Sequence, residues 1–165
     1  MTLPPGVRVA WGEVADAASR RAVSRALLSA LLPEATFVSR CPRCGGDHGR
    51  IRVSGADAVV SVSYAQGWAV GAVAEGWTRV GIDVSPTDAG GLDLVLPGAD
   101  ARSWTRVEAV LKADGRGLDV DPARVEVASG ADDAWTARID DGAWVTGHDL
   151  ASPPGLVAAL AVAAE

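Results

Sequence analysis

Three runs of β-type residues lie almost end to end in the middle of the chain, Ala58 to Tyr64, Trp68 to Ala74 and Arg79 to Val84, with only short Gly-containing turns between them. A parallel pair needs a crossover of about a dozen residues or more, so gaps this short require consecutive strands to run antiparallel. The segment therefore reads as an antiparallel meander. Before it, from Val14 to Leu32, the alanines, Val23, Leu27, Leu28 and Leu31 recur at helical spacing, arginines occupy the other face, and Pro33 ends the run. After it, Ser85 to Asp100 is a Gly-, Asp- and Pro-rich connector, and a second helix is expected at about Ser103 to Ala113, stopped by Gly115 and Gly117. Further strands are expected at Arg124 to Ala128, Ala134 to Ile139, Ala143 to Gly147 and Leu156 to Val162, with Asp140-Asp141-Gly142 as a hairpin turn. The order is helix then strands, twice. It predicts an α+β domain spanning 1–165, built as two similar halves of about 1–84 and 85–165. Each half lays a helix on a small antiparallel sheet, with a cleft between them.

A chain of 165 residues with 48% hydrophobic content can bury a sizeable core. Its longest wholly apolar run, Leu156 to Ala164, is far short of the roughly 20 residues that span a bilayer, and early prolines and acids replace a signal-peptide pattern. The expectation is a cytoplasmic protein with no membrane partner. Cys41 and Cys44 are the two cysteines, too few for a disulfide framework. The net charge of −6 argues against nucleic acid as a partner, yet residues 1–52 hold eight arginines against four acids. A basic first third suits phosphate groups or an acidic protein, and the acidic remainder can supply ligands for a hard cation. An unevenly charged solvated surface is the plainer alternative.

Asp83 closes the strand run Gly81-Ile82-Asp83-Val84, and Glu108 and Lys112 lie four apart on the second helix. Two carboxylates from different elements, converging at a cleft, suit a Mg2+ ion bridging a pyrophosphate, and a nearby ammonium can neutralise a departing phosphate. Each residue also has a structural reading. Glu108 fits a Thr105-x-x-Glu108 capping box with Trp104 and Ala109 as its staple, Glu108 with Lys112 fits a surface pair worth about 0.2–0.5 kcal/mol, and Asp83 fits a turn start. Lys112 is the chain's single lysine among fourteen arginines, which points to a place where a compact ammonium is wanted.

The series Ser61-Val62-Ser63, Gly81-Ile82-Asp83-Val84, Trp104-x-x-x-Glu108-Ala109-x-x-Lys112 and Gly115-x-Gly117-Leu118 resembles the motif order of the 4'-phosphopantetheinyl transferases, chiefly the Sfp-type. The loop Cys41-Pro42-x-Cys44-Gly45-x-x-His48-Gly49-Arg50 and the tail from Pro153 to Ala164 resemble segments of the same family, so the likeness runs from about Arg20 to the C-terminus. It implies a pseudo-twofold α+β fold that takes coenzyme A, uses Mg2+ and moves the phosphopantetheine arm onto a serine of an acyl or peptidyl carrier protein, releasing 3',5'-ADP. By that resemblance Asp83 and Glu108 are the metal ligands, Glu108 and Lys112 the catalytic pair, and Arg21, Arg50, Ser63, Tyr64 and Lys112 the coenzyme-binding residues.

The chain departs from the family pattern at several points. Ser85 stands where an acid is usual, a carboxylate that the related holo-acyl-carrier-protein synthases also lack. Tyr64 replaces a histidine and Val107 a lysine, and the connector from Ser85 to Trp104 is shorter and lacks the helix that supplies a proposed general base. Asp93, Asp100 or a metal-bound water are the substitutes the sequence offers for that base. The departures support an alternative, a family member that binds coenzyme A or a carrier without transfer. Cys41, Cys44 and His48 also fit three zinc ligands lacking an obvious fourth. The six tryptophans read as core and sheet packing, with no basic-aromatic interleaving for nucleic acid.

Overall fold

The computed structural model describes residues 2–41, 44–47 and 49–164. Pro42, Arg43 and His48 lie outside them, and the expected third zinc ligand with them. The chain is α+β, with ten strands and two α-helices among the described residues. Strand β1 (Val7–Glu13) is followed by α1 (Arg20–Leu31), the short hairpin strands β2 (Thr36–Val38) and β3 (Arg52–Ser54), then β4 (Ala58–Ala65), β5 (Trp68–Glu75) and β6 (Arg79–Pro86). Helix α2 (Ala101–Asp114) leads into β7 (Val125–Ser129), β8 (Ala134–Ile139), β9 (Val145–Leu150) and β10 (Leu156–Ala163). The strands form antiparallel sheets in the orders β1-β5-β4, β6-β10-β9-β8-β7 and β2-β3.

The expected meander is half right. β4 and β5 are joined by Gln66-Gly67, both at positive φ, the geometry of a two-residue hairpin turn. β6, however, does not continue that sheet. Thr78 donates both its N–H and its hydroxyl to the carbonyl of Ala163 at 3.1 Å, so the chain crosses to β10 after Gly76 and β6 becomes the edge of the second sheet. Its place beside β5 is taken by β1, which pairs from Val7 with Ala74 to Glu13 with Trp68. The first element is thus a strand.

Each strand's alternation decides what faces what. Val70, Ala72 and Ala74 of β5 meet Val80, Ile82 and Val84 of β6 and Leu160 and Val162 of β10 in a core between the two sheets. The outer face of the first sheet packs Val60 and Val73 against Leu28 and Leu32 of the α1 segment. The outer face of the second offers Ala159, Ala161 and Ala163 to Ala109, Val110 and Ala113 of α2. The order of layers is helix, sheet, sheet, helix. β10 is buried on both faces, which is why it reads as a continuous apolar run. Full burial of side chains such as Leu28 and Leu160 stabilises by about 2 kcal/mol each.

Helix boundaries differ from expectation for local reasons. Residues 14–19 are not helical, because the Ser19 N–H donates to the Asp16 carboxylate at 2.8 Å and the Ser19 hydroxyl to the Asp16 carbonyl at 2.9 Å, a turn that competes with helix. Helix α2 starts early, at Ala101, through a reciprocal capping box of Asp100 with Ser103 rather than Thr105 with Glu108. Thr105 instead donates to the carbonyl of Ala101 at 2.6 Å. β9 runs past Gly147 to Leu150, since Gly147 leaves room for the Trp135 ring, which would lie 2.3 Å from a Cβ there. Its penultimate residue, Asp149, accepts a bidentate pair from Arg106 at 2.8 Å and a third bond from Arg102 at 2.5 Å. Burial works against that carboxylate's charge, but the arginine hydrogen bonds outweigh it and hold Asp149 below the usual carboxylate range.

The tightest approach is between β6 and α2. A Cβ at Gly81 would lie 2.0 Å from the carbonyl oxygen of Ala109 and 2.4 Å from the nitrogen of Ala113, both backbone atoms. Gly81→Ala is therefore expected to destabilise the fold by about 3 kcal/mol, the upper range for overpacking. Urea unfolding measures it, and a loss well under 1 kcal/mol would mean that α2 can ride outward at no cost.

Candidate active site

Parity on β6 sends Val80, Ile82 and Val84 into the inter-sheet core and leaves Gly81, Asp83 and Ser85 facing α2. Because Gly81 admits the helix backbone so closely, Lys112 arrives directly over Asp83. Its ammonium donates to Asp83 Oδ1 at 2.7 Å, to Ser63 Oγ at 3.0 Å and to the Ile82 carbonyl at 3.1 Å. All three ammonium donors are used. Ser63 in turn donates to Asp83 Oδ1 at 2.9 Å, and the Ser85 hydroxyl lies 3.4 Å from Oδ2. Asp83 and Ser63 are both buried.

The seam between the sheets runs along this cluster. β4 and β6 are edge strands of different sheets, and the bonds between them come from side chains: Ile82 N–H donates to Ser61 Oγ at 3.1 Å, and Ser63 reaches Asp83. Where a backbone ladder would close the gap, a depression of about 270 Å³ opens instead, with Arg50 and Lys112 at its rim and Ile51, Val60, Val80 and Leu111 in its wall.

Glu108 sits one turn before Lys112 and makes no hydrogen bond or ion pair among the described residues. Burial raises its carboxyl above the ordinary glutamate range, the Asp83 charge raises it further, and Lys112 only partly offsets both. Two carboxylates whose charges oppose each other across β6 and α2, flanked by hydroxyls, form a hard-oxygen donor set. No third His, Cys, Asp or Glu joins them among the described residues. One or two carboxylates with substrate phosphates and water suffice for Mg2+, so the donor set fits that ion.

The remaining expected residues divide between two faces of β4. Ser63 points to β6, whereas Tyr64 points to α1 and donates to Ser24 Oγ at 2.7 Å. Tyr64 and Arg21 line a second depression of about 210 Å³, which shares Gly49, Ile51 and Val62 with the first. Arg50 and Lys112 thus border one hollow, Arg21 and Tyr64 its neighbour. Arg21 is paired with Asp47 at 2.8 Å, both exposed. The hydrogen bond from Ser39, helped by Arg21 and Arg25, holds the Asp47 carboxyl below its usual range. Arg25 was not singled out from sequence. It donates to Ser39 Oγ at 2.6 Å, and its other terminal nitrogen, Nη1, is buried without a hydrogen-bond partner among the described residues. Its spacing of four from Arg21 was the available signal. For Ser24, Ser39 and Asp47 the sequence carried none.

The chain matches no protein-family model and no curated protein.

The raised Glu108 carboxyl has a stability consequence. The folded state holds this proton more tightly than the unfolded chain, so stability falls as pH rises from the ordinary glutamate range through the raised one. Glu108→Gln removes that cost. The variant is expected to be more stable than the parent at pH 7, with the difference shrinking as pH falls toward the ordinary glutamate value; denaturant midpoints across pH measure it, and a pH-independent difference would contradict the burial argument.

Proposed function

We propose that this protein transfers the 4'-phosphopantetheine arm of coenzyme A to a serine of an acyl or peptidyl carrier protein, and that its α1-bearing and α2-bearing units are two similar halves of a phosphopantetheinyl transferase fold. The observation that carries the reading is the convergence of Asp83 from β6 and Glu108 and Lys112 from α2 beside a cleft. Cations line both adjoining hollows: Arg50 and Lys112 in one, Arg21 and Arg25 in the other.

In the proposed reaction the carrier serine oxygen attacks the pantetheine-side phosphorus of the coenzyme pyrophosphate. The P–O bond to the other phosphate breaks, 3',5'-ADP leaves with that bond's electron pair, and the serine proton is lost to a base. Asp83 and Glu108 are the residues that would hold Mg2+, which supplies charge neutralisation on the pyrophosphate when bound. Lys112 would neutralise the leaving phosphate by exchanging its bond to Asp83 for one to that phosphate, while Ser63 and the Ile82 carbonyl keep the ammonium in place. Arg50 and Arg21 supply guanidinium donors for the coenzyme's phosphates. Tyr64 can contribute a hydroxyl in the second hollow, where a histidine would contribute charge.

A second reading, coenzyme or carrier binding without transfer, is favoured by one feature. Lys112 already neutralises Asp83, and Ser85 adds no carboxylate to draw a metal in.

Intact-mass measurement of apo carrier proteins incubated with the protein, coenzyme A and Mg2+ separates the two. One added phosphopantetheine per carrier is expected, with Asp83→Asn inactive and Lys112→Met slower by about 100-fold, the usual cost of removing one electrostatic contact to developing charge. Calorimetric coenzyme binding with no carrier modified would establish the second reading, and absence of both would end the proposal.

A further inference from the structure

The C-terminus of α2 carries two independent demands on one residue. Gly115 adopts φ +90 and closes the helix by donating to the Leu111 carbonyl at 3.0 Å, a left-handed cap that Asn can also adopt. The second demand is spatial. A Cβ at this position would lie 2.0 Å from Arg50 Nη1 and 3.3 Å from its Cζ. Arg50 therefore rests in the space that any side chain at 115 would fill. It is exposed and makes no hydrogen bond or ion pair among the described residues. The guanidinium lies beside Gly115 at the C-terminal end of α2, where the helix dipole is negative. The guanidinium keeps its donors, and together with Lys112 it borders the 270 Å³ depression.

We infer that Gly115 is a positioning residue for anion binding: the absent side chain seats the Arg50 guanidinium across the seam, against the end of α2, and so sets the cationic wall of the depression. Only the identity of the ligand rests on the transferase reading. The same contact joins the loop before β3 to the end of α2, so the cation and the helix that carries Glu108 and Lys112 are held in register by a residue that also lines the depression.

The test is a double-mutant cycle of Arg50→Ala and Gly115→Asn, titrated by calorimetry with inorganic pyrophosphate and with coenzyme A, each with Mg2+. Gly115→Asn is expected to keep the left-handed cap yet weaken pyrophosphate binding about tenfold, the order expected for losing one charge-assisted donor. Arg50→Ala should weaken it equally, and the double variant should be no weaker than Arg50→Ala alone. Unchanged binding in Gly115→Asn, or a further tenfold loss when it is added to Arg50→Ala, overturns the inference. If Gly115→Asn lowers the melting temperature, deleting the guanidinium in the double variant should restore it, and failure to do so also overturns it. Pyrophosphate binding without coenzyme A binding leaves the inference standing and removes the transferase reading; if the parent protein binds neither, both fall.

Discussion

The closeness of α2 to β6 is the constraint on which the site depends. Gly81 has no side chain, and Ala159, Ala161 and Ala163 on the neighbouring strand are small, so the helix backbone settles almost onto the sheet. Lys112 Nζ can then bond a carboxylate, a hydroxyl and a main-chain carbonyl at once. A helix held further out by larger residues would carry the same lysine into solvent, where a pair with Asp83 would contribute little. At its other end the helix is oriented by the bidentate Arg106–Asp149 pair. Apolar packing brings α2 to the sheet, and this pair, as a buried charge contact, serves orientation more than net stability.

Two acids packed beside or on α2, Asp149 of β9 and Glu108 of the helix itself, are treated in opposite ways. Asp149 is met by two arginines and stays below the usual carboxylate range despite its burial. Glu108 is desolvated beside another carboxylate and is left without a hydrogen bond among the described residues, so its carboxyl is raised. Asp83 accepts from both Lys112 and Ser63 at Oδ1, whereas Oδ2 has only the Ser85 hydroxyl at 3.4 Å.

Much of the architecture was readable because periodicity carries burial. β8 spans Ala134–Ile139, as its alternation predicts, and the apolar run at the C-terminus is the doubly buried β10. Short or interrupted elements were not readable. β1 contains Gly12 and ends in Glu13, and β2 and β3 have three residues each, too few to display a period. Capping was ambiguous for another reason: Asp100-x-x-Ser103 and Thr105-x-x-Glu108 both offer a side chain three residues on, and only the extended backbone at Asp100 decides which is used. Pairing beyond neighbouring strands was also hidden. No feature of Arg79 to Val84 announces β10 as its partner rather than β5, because a sequence period specifies which face is buried but not against what.

The sequence by itself determined the α+β class, the positions of both helices and most strands, and the chemical types gathered at Asp83, Glu108 and Lys112, because local periodicity and residue chemistry are properties of neighbouring residues. Only the tertiary structure decided that β6 crosses to the second sheet, that Ser63 and Tyr64 turn to opposite sides of β4, and that Arg50 lies over Gly115. Those outcomes depend on contacts between residues up to about 80 positions apart, where the fit of one backbone against another, and not any local preference, selects the arrangement.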